Sequence, residues 1–213
     1  MSPNQGYGFK IKSDIADKSI WGNFDYTKTE LDLYTNQKLG FLSLFARFRF
    51  ESMSGNPPPQ ESLGLVDIPN FYLAGEYTPG REYMNPRGWS GVKFGNKVAM
   101  GTLELRLPAA SISVVEILKI FKFGQPTLAL ISDFGNAWEQ GQEKNNIVIT
   151  AGAELKFSFS LGDISMLIFT YGWAQSPESW GHDLNNFSQN FNSKESLSIG
   201  PKPYLRLSLI NPF

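Results

Sequence analysis

The sequence predicts an all-β fold, an antiparallel up-and-down barrel of about eight strands in a single domain spanning 1–213. Three observations point there. Eight segments read as strands, and in all but 164–174, which is apolar on both faces, apolar and polar residues alternate with period two, the pattern of half-buried strands. In many of these segments one face gathers the charges while the other is nearly uncharged and aromatic. The connections tend to alternate between short turns and long polar loops, which is how outer-membrane barrels are built.

The strands fall at 6–15, 24–35, 39–51, 97–107, 127–138, 147–161, 164–174 and 203–213, with a long loop at 52–96. In the first, Tyr7, Phe9 and Ile11 oppose Lys10 and Lys12. In the second, Thr27, Thr29, Leu31 and Leu33 oppose Lys28, Glu30 and Asp32, and the third sets Phe48 and Phe50 against Arg47, Arg49 and Glu51. In the fourth, Leu103, Leu105 and Leu107 oppose Thr102, Glu104 and Arg106; in the fifth, Leu128, Leu130 and Phe134 oppose Asp133. The sixth carries the longest stripe, Ile147 to Leu161 at every second residue, against Thr150, Glu154, Lys156 and two serines. The seventh places Leu167, Phe169, Tyr171 and Trp173 on one face, and the last sets Leu205, Leu207 and Leu209 against Tyr204, Arg206 and Ser208. Asn36-Gln37-Lys38 and Gly162-Asp163 read as short turns. Segment 109–125 departs from this scheme, and its SVVEILKIFKF reads as a short amphipathic helix at a membrane surface in preference to an extended excursion.

Composition narrows the function. The 213 residues include 20 Gly and 13 Pro and are 14% aromatic, which suits strands and turns. A hydrophobic share of 41% argues against disorder. A net charge of −1 gives no basic field for nucleic acid. The absence of Cys excludes a disulfide scaffold, thiolate zinc sites and a cysteine nucleophile, and with His182 as the one histidine, multi-His metal sites are excluded too. No cofactor is implied. No apolar run of about 18 residues could form a membrane helix, but barrel strands escape that test. The start, MSPNQGYGFKIK, lacks the apolar core of a signal peptide, so an exported form would be a mature or excised piece. A soluble sandwich or lipocalin-like barrel fits the composition equally well. The segregation of charge to one strand face, and an ending at Phe213 in mid-pattern, favour a membrane barrel.

Four further elements carry a family resemblance. FYLAGEYTPGREYMNPRGW, GNKVAMGTLELRLP, LALISDFGNAW and PYLRLSLINPF occur in that order over roughly Gly40 to Phe213. They resemble, in turn, the inward-folding loop, the following strand, the "hxhFhDxGxVW" strand and the terminal strand of the BamA-type barrels, the bacterial surface-antigen family. The resemblance implies that the 52–96 loop folds into the lumen with Arg87, Gly88 and Trp89 at its tip. It also implies that Arg87 pairs with acidic groups on nearby strands, here Glu104 and Asp133. It makes Tyr204, Leu205, Leu207, Leu209 and Phe213 the terminal strand that an assembly machinery recognises. Without the motif, Arg87 reads as a solvated loop arginine.

Family barrels have about twice as many strands, and many carry periplasmic repeats, which this sequence does not. Eight strands close into a barrel just filled by side chains, too narrow for a loop of some 45 residues. The expectation is therefore half of a larger barrel, completed by a second copy, a partner chain or sequence beyond this one. The resemblance implies insertion or translocation of polypeptides in the bacterial outer membrane, with periplasmic termini. The membrane-embedded part of a larger complex is a variant of that reading. A small closed pore or ligand-binding barrel without assembly activity is the alternative.

The remaining candidates have plain readings. Lys28, Glu30, Asp32, Arg47, Arg49, Arg106, Glu154, Lys156 and Arg206 line a lumen of mixed sign. Glu30 and Asp32 share one strand face and do not form a glycosidase pair, so no catalytic residue is assigned. His182 is a surface loop residue. Trp21, Trp138, Trp173, Tyr34 and Tyr171 suit an interfacial aromatic girdle or an ordinary core.

Overall fold

The computed structural model describes residues 5–20, 23–58, 61–66, 71–74, 84–89, 91–108, 115–117, 121–124, 126–139, 141, 147–161, 165–176 and 202–210. Strands β1 (Gly6–Ala16), β2 (Asp25–Leu39) and β3 (Leu42–Asn56) form a meander. The segment after β3 contributes β4 (Leu63–Val66), β5 (Phe71–Ala74) and β6 (Val92–Gly95). Then follow β7 (Lys97–Pro108), β8 (Val115–Ile117), β9 (Phe121–Phe123), β10 (Thr127–Trp138), β11 (Val148–Leu161), β12 (Ser165–Gln175) and β13 (Lys202–Ile210). The eight long strands pair as neighbours, antiparallel throughout, in the order β1-β2-β3-β7-β10-β11-β12-β13. They are the eight expected segments.

Among the described residues the sheet does not close on itself. β1 forms one edge, and the far side of β13 pairs with β5, in parallel. No helix among the described residues is long and apolar enough to cross a membrane, which says nothing about crossing by strands.

Alternation sorts the side chains as the sequence implies, because successive residues point to opposite faces. One face presents Leu103, Leu128, Leu130, Phe134, Phe157, Phe169, Tyr171 and Trp173, all exposed. The other buries Val98, Glu104, Ala129, Ile131, Asp133, Glu154 and Tyr204. Register is reinforced where an aromatic ring lies across a glycine on the neighbouring strand. Gly101 faces Phe134 and Gly172 faces Tyr204 in the ladders. A Cβ at Gly101 would lie 2.0 Å from the Phe134 ring, and one at Gly172 would lie 2.2 Å from that of Tyr204.

Two expectations are corrected, and one left open, the placing of Tyr34 in a girdle or a core, is narrowed. The β2–β3 turn is not at Asn36-Gln37-Lys38, since β2 runs on to Leu39, which pairs with Leu42. Gly40 supplies the turn with φ of 65°, as a two-residue hairpin turn with Gly first requires. Segment 109–125 is not helical where it is described. β8 and β9 pair antiparallel, and β9 continues along β11 beyond the end of β10. Ile112, Val114, Val115, Ile117 and Ile120 make this segment β-branched, and extended structure suits them better than a helix. Tyr34 is not on the aromatic outer face. It pairs with Gly8 and Arg47, on the face of Glu30 and Asp32. Tyr171 and Trp173 do lie exposed on the outer face, and Trp138 packs against Phe50 with ring centroids 6.4 Å apart. Trp21 and His182 fall outside the described residues.

The segment between β3 and β7 forms a second layer on the polar face of the sheet. β4 pairs with β6, and Met84 bonds β4 on both sides, accepting from the Val66 amide and donating to the Gly64 carbonyl. Leu63, Leu65, Met84 and Trp89 pack with Met53 of β3, Val98 of β7, Ala137 of β10 and Val148 of β11. All four sheet residues lie at the long-loop end of their strands. Leu65 is fully buried, so Leu65→Ala should cost about 2–5 kcal/mol through lost transfer energy and the cavity left behind. Phe41→Ala, at the exposed turn, should change stability by less than about 0.5 kcal/mol. Urea midpoints of the two variants check both values.

Candidate functional site

The site is built where the second layer meets the middle of the sheet. Gly88 has φ of 75°, a conformation that favours glycine. An ideal Cβ there would fall 2.3 Å from the Ala174 carbonyl carbon of β12, so the tip fits only without a side chain. Trp89 is buried in the apolar layer just described. Just before the glycine contact and that apolar anchor, Arg87 reaches carboxylates on three strands.

Its bonds are numerous and short. The Arg87 amide donates to Asp133 Oδ2 at 2.9 Å, Nε donates to the same oxygen at 2.7 Å, and Nη2 donates to Oδ1 at 2.7 Å. Asp133 is thus held in a bidentate fork plus a main-chain bond, an arrangement a lysine cannot reproduce. Nη1 donates to Glu104 Oε1 at 2.8 Å and lies 3.1 Å from Glu154 Oε1. The three carboxylates come from β7, β10 and β11, and all four side chains are almost wholly buried.

A second ring of cations surrounds them. Lys156 Nζ bridges Glu104 Oε2 at 2.7 Å and Glu154 Oε2 at 2.9 Å. Arg106 bonds Glu104 Oε2 through Nε at 2.8 Å, with its guanidinium 4.6 Å above the Phe45 ring. The Tyr204 hydroxyl donates to Glu154 Oε1 at 2.6 Å, and Arg206 Nη2 lies 3.8 Å from the same oxygen. Four cations therefore face three carboxylates, and the last strand joins the network through Tyr204. Burial alone works against the charge of the loop residue Arg87, but Asp133, Glu154 and Glu104 outweigh it and raise its pKa above the ordinary value.

Ladder geometry explains why these residues meet. Arg106, Ala129, Glu154, Gly172 and Tyr204 are consecutive partners across β7, β10, β11, β12 and β13. Ala129 and Gly172 are the small members of this row. They leave space over which the long side chains on either side converge. Toward the long-loop end, Asp133 pairs with Thr102 and Thr150, short side chains that leave its carboxylate open to the arriving loop.

The structure brings together Arg87, Gly88, Trp89, Glu104 and Asp133, all expected to belong to one site. Glu154 was expected only as a lumen-lining residue, yet it is the third acidic neighbour of Arg87. Tyr204 was expected only as part of the terminal strand, yet its hydroxyl reaches the site. The available signal for Glu154 was its place on the polar face of a strand one removed from Asp133. Leu205 and Leu207 are half-buried on the face opposite Tyr204, Leu209 continues β13, and Phe213 lies outside the described residues. Among the described residues, no three or more His, Asp or Glu side chains are grouped to hold a metal ion. The chain matches no family model, no curated protein and no solved structure.

Removing one partner of a buried ionic network strands the rest. Arg87→Ala should therefore destabilise the fold by about 3–5 kcal/mol, and Arg87→Lys should recover only part of that because the fork to Asp133 is lost. Denaturant titration of each variant, and of the double variant with Asp133→Ala, provides the check. The Arg87–Asp133 coupling should fall within about 0.5–3 kcal/mol. Gly88→Ala should cost at least about 1 kcal/mol from the left-handed backbone alone, and limited proteolysis of the 52–96 segment should report it as faster cleavage.

Proposed function

We propose that this chain is the membrane-spanning part of an outer-membrane β-barrel of the surface-antigen type, working in the insertion or translocation of polypeptides or embedding a larger complex that does. The observation that carries this reading is the buried Arg87 under an R-G-W tip, bonded to Glu104 and Asp133 on adjacent strands. That is the pairing the resemblance implies for the family's loop. Further support comes from the outer face. Exposed Leu, Phe, Tyr and Trp recur on one face of neighbouring strands β7, β10, β11 and β12, as a lipid-facing barrel wall requires.

The mechanism is mechanical and electrostatic. The ionic junction fixes the loop at mid-height and the Leu65–Met84–Trp89 layer fixes it toward the long-loop end, so the inner wall is braced while the β1 edge, among the described residues, stays open. An open edge offers unpaired backbone donors and acceptors that template an incoming strand. No bond is made or broken. Sheet edges are not tolerated in lipid, so strands from outside these eight complete the barrel. The protein then lies in the bacterial outer membrane with its termini on the periplasmic, short-turn side.

Two measurements test the reading. Leu130→Lys, on the exposed apolar face, should destabilise the bilayer-embedded protein by about 2–4 kcal/mol if it sits near the midplane. A soluble barrel would accept the same lysine with no loss, and that result would remove the membrane assignment. In proteoliposomes, the protein should accelerate folding of an unfolded small outer-membrane barrel, and Arg87→Ala should reduce the acceleration at least tenfold. Steady ion conductance that ignores Arg87→Ala, with no acceleration, is the result expected of a simple pore.

A further inference from the structure

The two edges of the sheet differ, and the difference identifies what completes it; the argument rests on the membrane reading above. β1 is unpaired on its outer side among the described residues. β13 is covered by β5 along Leu205–Ser208 only, four of its nine residues, and in parallel. That polarity is wrong for an up-and-down wall. Every other junction of the long strands is antiparallel, and with eight such strands the first and last run in opposite directions. A β13–β1 junction would be antiparallel, as a closed wall requires.

That junction does not form within one chain. Packed β layers stand about 10 Å apart, and an eight-stranded barrel has an interior just wide enough for side chains. The β4–β6 layer already occupies the inner face of β3, β7, β10 and β11, leaving no room for an opposite wall. Closure therefore needs more strands than these eight. A second copy supplies them with matching parts. The outward residues of β1 (Tyr7, Phe9, Ile11) and of β13 (Leu205, Leu207) are apolar, and the strands have similar lengths of 11 and 9 residues. Two copies in the same orientation can join only head to tail, since β1 against β1 would be antiparallel only with one copy inverted across the membrane. Two head-to-tail junctions close a sixteen-stranded ring with a two-fold axis along the membrane normal.

We propose that the β13 edge is a docking site for the β1 strand of a second copy, and that β5 is a placeholder that occupies this edge until the copy arrives. Closed molecules then carry two Arg87 junctions on opposite walls of a barrel wide enough for both loops.

The absence of native cysteine makes cross-linking direct. Cysteine is placed in β1 at Phe9, Ile11 or Ser13, one at a time, with Leu207→Cys in β13, and the protein is oxidised in detergent micelles. A disulfide joining two chains from at least one pair, with a native mass of two copies, is the expected result. A link within one chain, a single-copy particle or one copy bound to a different chain overturns the proposal. The second variant, Leu73→Cys with Leu207→Cys, locks register partners of β5 and β13 together. It should lower dimer yield at least tenfold under oxidation and regain it on reduction; an oxidised lock that still dimerises overturns the placeholder role. Protein that stays in solution without detergent removes the membrane reading itself, independently of how the chains link.

Discussion

The structure turns on one guanidinium. Arg87 reaches carboxylates on β7, β10 and β11, so a single side chain ties three strands to one loop. None of the four groups is tolerable there alone. Three buried carboxylates so close together would repel one another in a medium where charge is weakly screened, and a buried guanidinium without acceptors would bear the full cost of leaving water. Each makes the others affordable only in this geometry. The order of strands, the parity of their side chains and the position of the loop are therefore one constraint. Gly88 enforces it from the other side, since the approach to Ala174 admits no side chain.

This constraint works alongside a second of different character. Toward the long-loop end, Leu65, Met84 and Trp89 pack into Met53, Val98, Ala137 and Val148 without direction. Apolar contact supplies stabilisation in proportion to area but tolerates sliding. The fork on Asp133 does not tolerate sliding, because its hydrogen bonds weaken steeply when misaligned. The apolar layer holds the loop down and the ionic junction sets where it sits. Buried ionic groups often add little net stability, and their value here lies in specifying a unique placement.

The sequence revealed most where period two was strict. Most long strands show their two faces in the alternation itself, though 164–174 is apolar on both, so Glu104, Asp133 and Glu154 could be placed on the polar side without knowing their neighbours. What alternation lacks is register. Glu154 comes close to Glu104 only because Ile131 and Ala129 of β10 set the stagger between β7 and β11, and no local pattern encodes that stagger. Tyr204 reaches the site for the same reason, two strands further along. Tyr34 was left open between girdle and core, since aromatic character near a strand end fits either, and its parity puts it on the polar face. Asn36-Gln37-Lys38 has turn-like composition, yet the β3 ladder extends β2 through it to Gly40. In segment 109–125, amphipathic spacing competed with β-branching, and pairing beside β11 decided in favour of strands.

The two edges reveal how the sheet handles its unfinished state. Exposed edges invite indiscriminate pairing, and proteins blunt them with inward charges or local cover. β1 follows the first route, with Lys10, Lys12 and Asp14 on its polar face. β13 follows the second, borrowing β5 from the same segment that carries Arg87. One stretch of chain thus anchors the inside of the wall and guards its edge. The two contacts use different residues, Arg87 for the junction and Phe71–Ala74 for the edge. The brace lies on β7, β10 and β11 and the cover on β13, so the same segment acts on the sheet at two places.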